Sequence, residues 1–309
     1  MSRNYHVGSR CLKRAGILII KRSELSFSSK STLISRWVRF SDWAKENEIN
    51  KLEKITPATL INYASHLNNR LTDGTLSPAT AQNYVSVINT VMGLVRPDWQ
   101  RVSPTQACQL PRRQRIATEN KSVSASQHHQ IKQQLSPRLA ALVELQRTLG
   151  LRFKESALID AKKALRQAKD TGYIEIISGT KGGRKRTLPI PPDGLQALIN
   201  AAEQQTGRSM IPPELSYQRY HHACYAEIER LDFHFHSERH AYAQRRYQQL
   251  SGISAPIVMG WTRTERHSQL ATRLNISESA AKALDEQTRL QVAEELGHSR
   301  AEISNVYLG

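Results

Sequence analysis

Five short segments in the second half of the chain carry side chains suited to act together: TLGLRFKE with Arg152, SGTKGGRKR with Lys181, FHSERHAY with His236 and Arg239, ELGHS with His298, and NVY with Tyr307. Guanidinium, ammonium, imidazole and phenol are the groups that phosphoryl transfer calls for. A phosphodiester under attack gathers negative charge on its non-bridging oxygens, and a planar guanidinium can grip two oxygens at once, a task that suits Arg152 and Arg239. His236 and Arg239 stand three apart at the start of an expected helix, so both project from one face. The imidazole can then accept a proton near neutral pH while the arginine holds the phosphate. A lysine on a β-turn can deliver a proton to a departing oxygen, which leaves poorly otherwise. The tip TKGGRKR offers Lys181 and Lys185 for that task, with Arg184, Lys185 and Arg186 as DNA phosphate contacts. A phenol is a weak nucleophile until a neighbour takes its proton or stabilises its oxyanion. Tyr307 is therefore a reagent only if the cations and a histidine surround it; alone it reads as the last apolar contact of a final helix.

Taken in this order, the segments resemble the tyrosine recombinases of the phage integrase family: an arginine in a GLR turn with a glutamate three residues on, a lysine in a β-hairpin, an HxxRH helix start, an LGH, and a tyrosine shortly after it. The resemblance covers most of the chain and implies roles for individual residues. Glu155 would support Arg152, although an ordinary helix ion pair would look the same in sequence. Lys181, before the glycine turn, would be the general acid, with Lys185 as the alternative. His236 is favoured over its neighbour His240, His298 would hydrogen-bond the phosphate, and Tyr307 would be the nucleophile. The activity implied is that of a site-specific DNA recombinase, an integrase that cuts and rejoins duplex DNA through a 3′-phosphotyrosyl intermediate during integration or excision of a mobile element. Its partners would be double-stranded attachment sites, other copies of the chain in a tetramer on DNA, and accessory DNA-bending proteins. Because the covalent link keeps the phosphodiester energy, no cofactor is expected. A DNA-binding accessory protein that no longer cuts, or a strand relaxer of the type IB topoisomerase kind, are the competing readings.

Composition agrees with a nucleic-acid partner. Over 309 residues, 44 Lys and Arg face 27 Asp and Glu, giving a formal charge of +17 and a pI near 10, an excess that favours a polyanion. The longest apolar run near the N-terminus, Ala15 to Ile20, is followed by Lys21 and Arg22 and is far shorter than a spanning segment of roughly 18 residues. A cytoplasmic protein of bacterial or phage context, without a membrane partner, is the expectation. Cys11, Cys108 and Cys224 are scattered and read as reduced thiols. His221, His222, Cys224, His234, His236 and His240 lie near one another in sequence, but without a CxxC or HExxH spacing no metal site is expected.

The elements that must position these groups are mostly helical. Leu33, Trp37, Phe40 and Ala44 recur at helical spacing, and two further helices announce themselves by Thr56-Pro57 and Ser77-Pro78. The second stripe runs through Leu60, Ala64 and Leu67, and the third through Tyr84, Ile88, Val91 and Val95 until Pro97 stops it. The expected class is mainly α with a small antiparallel β-sheet. The boundaries read as a basic N-terminal extension at 1–29, a helical domain at 30–97, a basic linker at 98–123 and a mixed α/β domain at 124–309. The resemblance makes the helical domain a core-binding (SAM-like) DNA domain and the last a tyrosine recombinase catalytic domain, the two clamping duplex DNA. In the linker Arg112, Arg113 and Arg115 are read as DNA contacts, a solvated charged loop being the alternative. In the catalytic domain a Ser136-Pro137 start opens one helix, and Tyr173 to Ile177 with Thr187 to Ile190 form a hairpin around Gly182-Gly183. Nine residues, about two and a half helical turns, separate His298 from Tyr307. A turn must therefore intervene, with Gly297 ending one helix and Ser299 able to cap the next.

Two departures from the family pattern stand out. Between Arg239 and His298 lie 59 residues, more than the pattern requires, and the excess falls at about 252–285. Trp261, Arg263, Arg266 and His267 give that insertion a basic, aromatic character, compatible with DNA contact or with simple solvation. Relatives also continue past the tyrosine with a segment that docks on a neighbouring protomer, whereas here only Leu308 and Gly309 follow.

Overall fold

Thr56 Oγ1 accepts the N–H of Thr59 while the Thr59 hydroxyl accepts that of Thr56, and Ser77 Oγ accepts the N–H of Thr80, each cap followed by proline. These local signals need no tertiary partner, and the helices start where they say. A computed structural model describes residues 3–309, which divide into two compact units between Gln114 and Arg115.

The first unit holds α1 (Leu12–Arg22), α2 (Phe27–Glu46), α3 (Pro57–Thr72) and α4 (Pro78–Val95). Trp37, Phe40 and Ala44 of α2 are buried with Leu60, Ala64 and Leu67 of α3 and Ile88 and Val91 of α4. Two boundaries differ from the sequence reading. The described part of the expected extension at 1–29 is not separate, because Leu12, Ala15, Ile19 and Ile20 of α1 enter the same core and Trp37 Nε1 donates to the Lys13 carbonyl at 3.1 Å; residues 1 and 2 lie outside the described residues. Much of the expected linker is also packed there, through Trp99, Val102, Cys108 and Leu110. This stretch has no period because turns and side chains satisfy its backbone instead; the buried Asn89 accepts at Oδ1 from Trp99 Nε1 and Val102 N and donates from Nδ2 to the Val102 carbonyl.

The second unit runs α5 (Ala125–Gln133), α6 (Pro137–Leu149), α7 (Phe153–Leu158), α8 (Ala161–Thr171), β1 (Tyr173–Ile176), β2 (Arg186–Pro189), α9 (Pro192–Gln204), α10 (Tyr217–Ile228), α11 (Phe235–Ser251), α12 (Pro256–Met259), α13 (Arg266–Leu274), α14 (Glu278–Glu295) and α15 (Asn305–Leu308). The expected hairpin is present, β1 and β2 pairing antiparallel with Ile174 opposite Leu188 and Ile176 opposite Arg186, and the class is mainly α with one small sheet. The largest core gathers around α6, α8 and α9, with Ile174, Ile176 and Leu188 from the hairpin. A second joins α11, α14 and α15 through Tyr242, Tyr247, Val292, Leu296 and Leu308, and a third, small one joins Leu270 and Ala271 to Ala281. The segment expected as an insertion thus has helices and an apolar contact of its own, with Trp261 packed against that contact. Ser136 starts α6 without capping it, its hydroxyl donating to Glu227 at 3.0 Å instead. Among the described residues no helix is long and apolar enough to cross a membrane.

Candidate active site

The site begins where α6 ends. Gly150 has φ +62°, and a Cβ there would stand 2.5 Å from the Tyr242 ring, so glycine is required both for the left-handed turn and for the approach of α11. The turn aims the Gly150 carbonyl at Arg239 Nη1, which donates to it, while Arg239 Nη2 donates to the carbonyl of Leu296. Immediately after the turn Arg152 opens α7, and its Nη2 donates to the same Leu296 carbonyl at 3.2 Å. The two guanidiniums are thereby fastened to one point of backbone.

Glu155 ties them to the hairpin. Its carboxylate is fully buried; it accepts the Arg152 N–H at 2.8 Å and Arg152 Nη1 at 2.7 Å, and receives both terminal nitrogens of Arg186 at 2.8 and 2.7 Å. Burial opposes this charge, but the Arg186 and Arg152 bonds hold the carboxyl at about 2, so it stays ionised. Glu155 thus does more than complete a helix ion pair. Arg186, read from sequence as a DNA contact at the hairpin tip, is corrected by the same geometry: its side chain is 6 % exposed and forked onto Glu155. The period of two that turns Leu188 into the core turns Arg186 inward as well. The tip itself carries Lys181, Arg184 and Lys185, all exposed.

On α11, His236 and Arg239 share a face as expected. Arg239 has no exposed surface, its Nε donates to Tyr307 Oη at 3.2 Å, and Tyr307 Oη lies 3.5 Å from His236 Nε2. The Tyr307 ring covers the guanidinium at 5.8 Å, so that ring or another neighbour has to shift before a phosphate can reach the remaining N–H groups of Arg239. The turn after the LGH motif is made by Gly297 at φ +73°. Ser299 does not cap the next helix; its hydroxyl accepts from Arg184 Nη1 at 3.2 Å. A short 3-10 turn at Ala301–Ser304 and then α15 bring the Tyr307 ring to 6.4 Å from that of His298. His298 Nε2 is buried without a hydrogen-bond partner. It borders an open depression of about 420 Å³ also lined by Arg152, Lys181, Arg184 and Arg300, which is a setting for an anion rather than for an apolar ligand. Burial, followed by Arg239 and Arg152, lowers the His236 imidazole, and the same causes with Lys181 bring His298 to about 4. Burial and the neighbouring cations thus favour the neutral form of both imidazoles.

The structure therefore gathers Arg152, Glu155, His236, Arg239, His298 and Tyr307, with Lys181 on the rim. Arg112, Arg113 and Arg115 are exposed, Arg113 Nε resting on Gln82 Oε1 at 2.9 Å. Among the described residues no group of His, Cys, Asp and Glu is arranged to hold a metal ion; His221 stacks on Tyr225 and His240 packs against Tyr307.

Sequence reasoning missed the support behind α11. Glu238, buried between His236 and Arg239, receives His128 Nδ1 and Arg147 Nη1 at 2.8 Å each. An acidic residue amid HSERH on a helix with a buried face was the available signal. Although burial opposes protonation, hydrogen bonds to Glu144 and Glu238 raise His128 above its ordinary value. Replacing Glu238 by Ala takes from Arg147 its carboxylate and leaves His128 with Glu144 alone, and we expect about 3 kcal/mol of lost stability in denaturant unfolding of the full chain, the lower end for a broken buried pair. Unchanged stability would mean that the network contributes nothing net.

Comparisons with known proteins bear on the fold. Residues 112–245 match the family model described as integrase. Among solved structures, the chain is similar to the XerH site-specific recombinase bound to its palindromic difH substrate, at 14 % identity and TM-score 0.55 over 94 % of this chain and 79 % of that one. It is also similar to the Tn1549 transposon integrase in complex with circular intermediate DNA, at 10 % identity and TM-score 0.56 over 95 % of each chain, and to a lambda integrase dimer bound to a core site, at 18 % identity and TM-score 0.50 over 87 % of this chain and 92 % of that one. No curated protein matches the sequence. The fold is that of the tyrosine recombinases.

Proposed function

We propose that this chain, built on the fold of the tyrosine recombinases and carrying an integrase match over residues 112–245, is a site-specific DNA recombinase that integrates or excises a mobile element. The observation that carries the reading is the phenol of Tyr307 lying against Arg239 and His236, beside the cation-lined depression that His298 borders.

In this reading the scissile phosphate enters the depression, with Arg152 and Arg239 on its non-bridging oxygens and the neutral His298 donating Nε2–H to one of them. His236 takes the Tyr307 proton as the phenol oxygen attacks phosphorus. The bond to the 5′ oxygen breaks, Lys181 protonates that oxygen, and a 3′-phosphotyrosyl link and a free 5′ hydroxyl remain. Attack by the 5′ hydroxyl of a partner strand reverses each transfer and releases the tyrosine. One phosphodiester is exchanged for another, so the chemistry consumes no nucleotide. The net charge of +17 favours binding to duplex attachment sites that weakens steeply with salt. Exposed Arg112, Arg113, Arg115, Arg184 and Lys185 are the proposed backbone contacts, and strand exchange between two duplexes calls for a tetramer of this chain, assisted by DNA-bending proteins.

The test uses duplex DNA selected by the chain from a random pool, then nicked beside each phosphate in turn so that the short cleaved fragment bearing the 5′ hydroxyl diffuses away. A protein–DNA band that survives denaturing electrophoresis is the expected result. Tight binding with no covalent band at any position would make the chain a DNA-binding accessory protein.

A further inference from the structure

The insertion at 252–285 is where the chain departs most from the pattern it resembles, and although Arg263 and Arg273 are exposed, its Arg266 and His267 are half-buried and turned inward. Arg266 Nε and His267 Nε2 turn inward to Asp285 Oδ2 at 3.1 and 3.2 Å. Asp285, 1 % exposed, also accepts the Tyr247 hydroxyl at 2.7 Å and Arg289 Nε at 2.8 Å on both oxygens. Arg289 continues the chain of contacts, donating from Nη1 to Asn305 Oδ1 at 2.9 Å. Asn305 is the first residue of α15, two before Tyr307, and its carbonyl accepts the Ala117 N–H at 2.9 Å. On the other side of α15, Ala255 and Ile257 at α12 share a core with Tyr307 and Leu308, and Ile257 lies so close to Gly309 that a Cβ there would meet it at 3.1 Å. A four-residue helix has little stability of its own, so α15 depends on what holds it.

We propose that the insertion is a brace for the nucleophile, α13 acting through Asp285, Arg289 and Asn305 and α12 through Ile257, so that together they fix the helix carrying Tyr307. Arg289 and Asn305 are positioning residues, since neither touches the tyrosine hydroxyl. The catalytic part of this inference rests on the recombinase reading, and the structural part does not.

The test is made on the full-length chain with Asn305→Leu, which leaves the Asp285–Arg289 pair intact, and Asn305→Asp, which keeps an acceptor for Arg289 and adds a charge. Amide exchange over 301–309 should rise roughly tenfold to a hundredfold in the leucine variant, the range for losing a hydrogen bond to a charged group. Adduct formation at saturating DNA should fall similarly while the DNA dissociation constant stays put; the aspartate variant should retain both protection and rate. Unchanged exchange in Asn305→Leu overturns the brace, and so does loss of both properties in Asn305→Asp. If the wild-type chain forms no adduct, the recombinase reading fails while the exchange arm still decides the inference.

Discussion

Arg239→Lys should lower the rate of covalent adduct formation by about 10³-fold at saturating DNA, the upper range for removing one preorganised donor from a transition state. The lysine keeps a positive charge but loses the fork, and the fork is what this position uses. One terminal nitrogen holds the Gly150 carbonyl, the other that of Leu296, and Nε meets Tyr307 Oη at 3.2 Å. An ammonium cannot span those three directions from a site with no exposed surface. Lost activity could also follow from unfolding, so Arg239→Lys is to be compared with Tyr242→Phe, which gives up a buried hydrogen bond to Glu295 and touches no reacting atom. The lysine variant should lose far more rate than the phenylalanine variant at equal loss of stability. Equal losses would make Arg239 a structural cation and not a phosphate clamp.

Lys181→Ala should show the second large effect, a fall of about 10² to 10⁴-fold on ordinary DNA, the span expected for a general acid. The reason is one of elimination among the described groups around the depression. Arg152, Arg184 and Arg300 are guanidiniums, which do not surrender protons in proteins, and His298 is neutral with its imidazole at about 4. Lys181 is the remaining cation that can release a proton to the departing oxygen. Replacing that 5′ oxygen by sulfur makes a leaving group that needs no protonation, so the alanine variant should cleave the sulfur-bridged DNA at close to the wild-type rate. Because Lys181 is exposed, folding and DNA affinity should change little. A variant equally slow on both substrates would reassign Lys181 to phosphate binding and leave Lys185 as the candidate acid.

What could be read from the sequence follows from how local each signal is. The Thr56-Pro57 and Ser77-Pro78 starts, the glycine hairpin and the order of the site segments depend on neighbours a few residues away. The packing of α1 does not: the apolar run at 15–20 becomes core only because Trp37, across a tight connection, is there to receive it. The irregular stretch after Pro97 had no period to detect, its backbone being tied by turns and, at Val102, by the buried Asn89. At the site, motif types brought out Arg152, His236, Arg239, His298 and Tyr307. The carbonyls that hold the two arginines, Gly150 for Arg239 and Leu296 for both, are announced by no residue type. Arg186 was legible in principle, since strand alternation from Leu188 turns it inward, but the basic run RKR disguised it as part of the tip. Ser299 had the chemistry of a cap and the wrong place for one, because the chain turns through a 3-10 segment before α15 begins.

Tyr307 is the proposed nucleophile. Its most direct test is to digest the denatured protein–DNA adduct with nuclease and protease and sequence the modified peptide by mass spectrometry. The account predicts a nucleotide 3′-phosphate on Tyr307 and no adduct from Tyr307→Phe, whose DNA binding is retained. A phosphorylated nucleotide on any other residue, or an adduct of undiminished yield from Tyr307→Phe, would contradict it.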